Sequence, residues 1–155
     1  MTPRALFRLA LVPASMLLFA VGIPISGWLA ERGRRRTLIG VSIAIAAFGL
    51  VFGPLFQAGL TGAVAVMLLG LALMGLTYGP LGTALSELFP TPVRYTGSSL
   101  AFNLAGIFGA SLAPYFATWL AKTFGLQYVG YYVTGVALLS LLGALLARET
   151  RDDAL

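Results

Sequence analysis

The chain has 155 residues, 59% of them hydrophobic and 10% charged. Soluble domains carry roughly 25% charged residues, so the polar shell of a soluble core is missing and an all-α, polytopic membrane protein is expected. The net charge of +5 lies between apolar runs rather than along one solvated face, which argues for orientation in a bilayer and against a nucleic-acid partner. With no cysteine and no histidine, there is no disulfide framework or thiolate and none of the commonest metal ligands, so neither a metal nor a cofactor is expected.

Residues 1–8 followed by an apolar run look at first like a signal peptide. The run from 9 to 30 is longer than the roughly 7–15 residues of a signal h-region, and no A-x-A-like site closes it, so it reads as a retained transmembrane helix. Next comes the basic hinge Gly27–Arg36, which packs Glu31, Arg32, Arg34, Arg35 and Arg36 into six residues. Further apolar runs follow at 37–56, 60–85, 98–120 and 127–147, each near the roughly 20 residues a helix needs to cross about 30 Å of hydrocarbon. A spanning β-barrel would show short alternating segments instead. The five predicted transmembrane helices are joined by short breaks, so sequence neighbours should pack antiparallel in one domain covering 1–155.

Arg32, Arg34, Arg35, Arg36, Arg94, Arg148 and Arg151 fall on one side of this topology, and Arg4, Arg8 and Lys122 on the other. By the positive-inside rule the first side is cytoplasmic, which places the C-terminus in the cytoplasm and the N-terminus outside. Arg4 and Arg8 resist that arrangement, and the arginines of the hinge outweigh them. Trp28, Tyr95, Trp119, Tyr128, Tyr131 and Tyr132 lie near helix ends and read as interface residues.

Inside the predicted helices, Pro13, Pro24, Pro54, Pro80 and Pro114 accompany small pairs four residues apart, Gly49/Gly53, Gly75/Gly79 and Gly106/Ala110. Small residues one turn apart serve close helix packing. A sharper reading makes Tyr78-Gly79-Pro80 a break in the third helix that moves or lines a cavity. The acids Glu31, Glu87, Glu149, Asp152 and Asp153 all lie at helix ends or in the tail, so no ionisable group marks a mid-membrane ion path. No nucleophile–base pair and no phosphate loop is present, so an enzyme is not expected. What remains at mid-membrane is polar and neutral: Ser98, Ser99, Asn103 and Ser111 on the fourth helix, and Thr77, Tyr78 and Thr83 on the third. Asn103 brings four hydrogen-bonding positions that lipid cannot satisfy, and it shares a face with Ser99 and Gly106. Its carboxamide serves equally an interhelical bond or a substrate.

Two loops resemble a known family. Gly27-Trp28-Leu29-Ala30-Glu31-Arg32-Gly33-Arg34-Arg35-Arg36 is similar to the G-x-L-A-D-R-x-G-R-R loop of the major facilitator superfamily. Glu87-Leu88-Phe89-Pro90-Thr91-Pro92-Val93-Arg94-Tyr95-Thr96-Gly97 is similar to the E-L-F-P-T-x-V-R-Y-T-G segment before that family's eleventh helix, and Asn103 and Ala113-Pro114 follow it. The combination most resembles the metabolite:proton symporter branch, which carries organic acids and zwitterionic osmolytes. Glu31 stands where the family has Asp, and Arg34 where it has its second Gly, at the point where the loop usually turns tightly.

The resemblance covers the chain as helices eight to twelve of a twelve-helix fold. It implies that Gly27, Glu31, Arg32, Arg35 and Arg94 belong to cytoplasmic gating loops, and that the N-terminal half, with its proton-coupling acids, lies outside this chain. The implied function is proton-coupled symport of a small polar metabolite by alternating access, in a bacterial cytoplasmic membrane. Asn103, Ser99, Thr77 and Tyr78 are the candidates for the substrate path. The alternatives are a truncated membrane protein that does not transport, and an exporter of the same fold.

Overall fold

The apolar runs on either side of the basic hinge form a single helical element, α1 (Pro3–Gln57), in which only Gly33 leaves helical geometry (φ 165°, ψ 92°). The computed structural model describes residues 3–146, with side chains at Pro13 and from Ser15 onward; Arg4, Arg8, Arg148 and Arg151, used above for orientation, and the tail acids Glu149, Asp152 and Asp153 lie outside the described side chains. A straight helix of this length would measure about 80 Å, far more than the roughly 30 Å of hydrocarbon. It is not straight. Before Gly33, Gly22 lies against Gly75, and Ser26 against Gly79, of α2 (Leu60–Glu87); after it, Phe48 lies against Gly70 and Leu55 against Gly62. One arm therefore runs parallel to α2 and the other antiparallel, and α1 is a hairpin closed at Gly33. The hinge expected over ten residues narrows to one. Leu29, Ala30, Glu31 and Arg32 are good helix formers that carry the first arm to the turn. The Thr37 hydroxyl donates to the Gly33 carbonyl (3.0 Å) at the start of the second arm.

Gly59 (φ 78°) turns the chain from α1 into α2. α2 then runs without interruption through Tyr78-Gly79-Pro80, so the break anticipated there is absent. Pro80 is fully buried, and Gly75 and Gly79 pack against Phe19, Ile23 and Ser26 of the first arm. Close packing against the first arm keeps the helix continuous despite the lost amide.

A 3₁₀ turn, Thr91–Val93, leads into α3 (Arg94–Gly106). A π-helical stretch, Ile107–Leu112, joins α3 to α4 (Ala113–Thr123). Pro114 in the first turn of α4 has no amide to donate and its ring crowds the turn before it; the wider π turn accommodates both. Gly125 (φ 103°) ends α4 in a left-handed cap, with the Phe124 and Gly125 amides donating to the Leu120 carbonyl (2.9 and 3.1 Å). α5 (Leu126–Leu146) returns to the hinge end.

The second arm of α1 packs on α5 through Gly49, which sits against Gly130 and Thr134, and through Gly53 against Gln127. The Thr134 hydroxyl donates to the carbonyls of Ala46 (3.1 Å) and Gly130 (3.0 Å). Two of the three small pairs thus bring backbones together, as lipid-embedded helices need. The third does not, because Gly106 has nothing within 4 Å of where a side chain would begin. It belongs to the loosest part of the bundle. α3 touches α2, α4 touches α5, and no described residue of Thr91–Thr123 is buried.

Four apolar helical stretches, Ser15–Gln57, Leu60–Glu87, Thr91–Thr123 and Leu126–Leu146, are long enough to cross a membrane. The fold-back at Gly33 divides the first into two, which makes five passes. No strand occurs among the described residues. The chain is an all-α, multi-pass membrane protein.

Candidate functional site

At one end of the bundle the hinge arginines reach across to other helices. Arg34 forms an ion pair with Glu87 at the C-terminal end of α2. Arg35 donates from Nε to the Ala144 carbonyl (3.2 Å) and from Nη2 to the Leu145 carbonyl (2.6 Å) in the last turn of α5. Carbonyls toward the C-terminal end of a helix carry the negative end of its dipole, so a guanidinium is well placed there. The Arg32 guanidinium stacks on the Trp28 ring, 3.6 Å from its centroid. Glu31 is exposed, and Gly27 lies where the first arm passes Gly79. Arg94 donates to the Phe89 carbonyl (3.3 Å), and the Phe89 ring covers Gly97, which folds the 88–93 loop back on α3. Arg34 and Arg35 thus bridge helix ends, and Arg32 stacks on Trp28 of its own arm.

The path candidates do not converge on one site within the described residues. Asn103 Nδ2 donates to the Ser99 carbonyl (2.7 Å) and lies near Ser99 Oγ (3.4 Å), so these two share the outer, exposed face of α3. The Thr77 hydroxyl donates to the Leu73 carbonyl (2.9 Å), and its side chain lines a cavity of about 470 Å³ among the second arm of α1, α2 and α5. Tyr78, one residue on, turns instead toward the first arm, edge-on to Phe19 with ring centroids 5.6 Å apart. Tyr132, expected at the interface, also lines the cavity. Trp119, Phe124, Tyr128 and Tyr131 form a chain of ring contacts at the end opposite the hinge.

Three polar residues that matter to the architecture were not singled out from sequence. Ser26 is fully buried at the crossing of the first arm and α2, donating to Ile23 O (3.0 Å) and lying 3.5 Å from Gly75 O. Ser42 is buried beside the cavity, and Thr134 ties α5 to α1. Each is a small hydroxyl residue in an apolar run; Ser26 and Thr134 each follow a glycine by four residues, Gly22 and Gly130, the signal that marks such crossings, while Ser42 has none.

Glu31, Arg32, Arg34 and Arg35 on one tight turn, two of them joined to the ends of other membrane helices, agree with what a whole-chain comparison finds. The family model described as "Major Facilitator Superfamily" matches residues 6–154. The chain is 49% identical over 140 residues to the "Inner membrane metabolite transport protein YhjE" of Escherichia coli strain K12, covering 88% of this chain and 32% of that protein. A "Putative metabolite transport protein" of Haemophilus influenzae is 43% identical over 148 residues, covering 94% and 33%. The "Proline/betaine transporter" of Salmonella typhimurium is 31% identical over 135 residues, covering 85% and 27%. The chain therefore spans about a third of the length of these relatives. No solved structure matches it. Two loops with the right residues, five helical passes with the loops at the same end, and a match along almost the whole sequence lead to one conclusion: this chain belongs to the major facilitator superfamily, a family of membrane transporters and not of enzymes.

Proposed function

We propose that the chain forms the last five helices of a twelve-helix transporter that moves a small polar metabolite, such as an organic acid or a zwitterionic osmolyte, together with protons. Transport would proceed by alternating access across a bacterial cytoplasmic membrane, with the C-terminus in the cytoplasm. One observation carries this reading. Asn103 lies roughly 14 Å along the helix from Arg94, near the middle of a core about 30 Å thick, and its carboxamide faces outward from the bundle. Its amide nitrogen is held by Ser99 of the same helix, but its Oδ1 accepts no hydrogen bond among the described residues; an exposed carboxamide oxygen is costly against hydrocarbon at that depth, so its face belongs against protein or a water-filled path. The N-terminal half of the transporter is the partner that supplies both. The names of the relatives support the substrate class, since they describe metabolite and proline/betaine transport.

On this reading Asn103 and Ser99 face the path directly. Thr77 and Tyr78 act from α2, and Gly27, Glu31, Arg32, Arg35 and Arg94 hold the cytoplasmic loops. The test is uptake into proteoliposomes by the chain joined to its N-terminal counterpart. An imposed inward proton gradient should drive accumulation of a labelled organic acid or betaine, and Asn103→Ala should raise KM with expression unchanged. Accumulation that ignores the gradient would remove proton coupling. Efflux in its place would make the protein an exporter, and no flux in either direction would favour a chain that does not transport.

A further inference from the structure

α3 carries Ser99 and Asn103, yet little in the bundle holds it in place. Among the described residues it packs on no helix but α2, apart from its flanking turns, and none of its own residues is buried. Its angle is therefore set largely at its two ends, and these are built differently.

At the end away from the hinge, α3 passes into the π stretch Ile107–Leu112. Gly106 and Gly109 meet nothing within 4 Å of where a side chain would begin. A π turn is one of the few features at which a helix bends sharply, and at these glycines no neighbour stands in the way. At the hinge end, the chain leaves α2 through Leu88 and Phe89, and Pro90 and Pro92 stiffen the turn that follows. The half-buried Phe89 ring lies so close to the backbone at Gly97 that a side chain begun there would run into it. Gly97 has ordinary helical geometry, so its lack of a side chain serves this close approach and not an unusual φ. The Arg94 Nε donates to the Phe89 carbonyl (3.3 Å) and holds the same residue by its backbone. Because Phe89 follows the end of α2 at Glu87 so closely, the contact ties the angle of α3 to α2.

We propose that Phe89 is a latch on a movable α3. With the ring on Gly97, α3 stands as in this structure; with the ring released, α3 pivots at the π stretch and carries Ser99 and Asn103 with it. The 13 residues of α3 make a lever about 20 Å long. Tyr95 lies about 16 Å along it from Gly106, so a bend of about 20° at the π stretch moves Tyr95 by roughly 6 Å. That this movement turns a substrate-facing surface rests on the transport reading above; the latch itself does not.

The natural chain has no cysteine, so spin labels attach only where cysteines are introduced. Tyr95→Cys on α3 and Leu139→Cys on α5 replace side chains that are 87% and 69% exposed. Double electron–electron resonance on the purified 155-residue chain in lipid nanodiscs should give a narrow distance distribution, which Phe89→Ala broadens by roughly 6 Å. Phe89→Tyr keeps the ring and should stay narrow. Gly97→Ala displaces the ring and should broaden the distribution as Phe89→Ala does, and the two together should add nothing further, as for residues joined in one contact. A reference pair, Leu69→Cys with Leu139→Cys, reports α2 against α5 and should not change. A Phe89→Ala distribution as narrow as the natural one overturns the proposal, and so does equal broadening of the reference pair, which would mean a loosened bundle. Where Phe89→Ala fails to fold, Gly97→Ala decides alone. In the transporter joined to its N-terminal half, Gly97→Ala should raise KM for labelled betaine or organic acid, and an unchanged KM overturns the positioning role. No flux even from the unmodified transporter, with the distances as expected, counts against the transport reading and leaves the latch standing.

Discussion

Arg34 stands where the similar family loop carries glycine, and from sequence it reads only as an irregularity. In three dimensions it is the residue that ties the hinge to α2 through Glu87. Both side chains are about one-third exposed, 33% and 35%, so the pair stabilises the fold by roughly 0–1 kcal/mol and serves mainly to choose which helix ends meet. Arg34→Glu should lower the apparent melting temperature in detergent by a few degrees through like-charge repulsion with Glu87. Glu87→Arg should do the same, and the double exchange should restore most of the loss. A double variant as unstable as either single one would show that the two residues do not act as a pair. The existence of the charged hinge was legible in the sequence; its pairing was not, because partners 53 positions apart are joined only by the register of α1 against α2.

At the scale of the helix, hydropathy located the apolar runs, since a run of lipid-facing residues is visible without knowing its neighbours. The manner of their breaking was less visible. Proline in α2 looked like a discontinuity, yet burial against the first arm keeps the helix whole, while Pro114 in the fourth pass is met by a π turn. Glycine spacing was equally ambiguous, because the same four-residue repeat marks a packed face at Gly49/Gly53 and an open one at Gly106/Ala110. These two cases separate experimentally. Gly49→Leu drives a side chain into Thr134 and the backbone of Gly130 and should destabilise the isolated chain by about 1–3 kcal/mol. Gly106→Leu should change it by less than about 0.5 kcal/mol in the same thermal assay. In the reunited transporter the order of harm should reverse for transport, because Gly106 shares the face of Asn103. Normal uptake by Gly106→Leu would place that face away from the other half.

For the whole molecule, the uneven burial is the main fact. α1 closes on α2 and on α5 through glycine crossings, whereas no described residue of Thr91–Thr123 is buried. The family resemblance anticipated an incomplete fold; the pass left uncovered, Thr91–Thr123, is also the least apolar of the four stretches, but lower hydropathy alone does not tell a face awaiting protein from one facing water. An Asn103→Cys variant tests the consequence directly, because the natural chain has no cysteine to interfere. Alone in a bilayer, a thiol at that position should react slowly with a water-soluble maleimide, because only a hydrated thiolate attacks it. Joined to the N-terminal half, it should become reactive and be shielded by substrate. Equal reactivity in both settings would mean that no aqueous path forms along α3.

The two tryptophans give the molecule an intrinsic optical marker. Trp28 lies under Arg32 at the hinge end, and Trp119 lies beside Phe124 at the other, and both indoles are about half exposed. In sealed vesicles a quencher confined to the outer solution reaches one indole and spares the other. Replacing either with phenylalanine tells which emission was lost, so the sidedness of the protein in its membrane can be read from its own fluorescence, without a label.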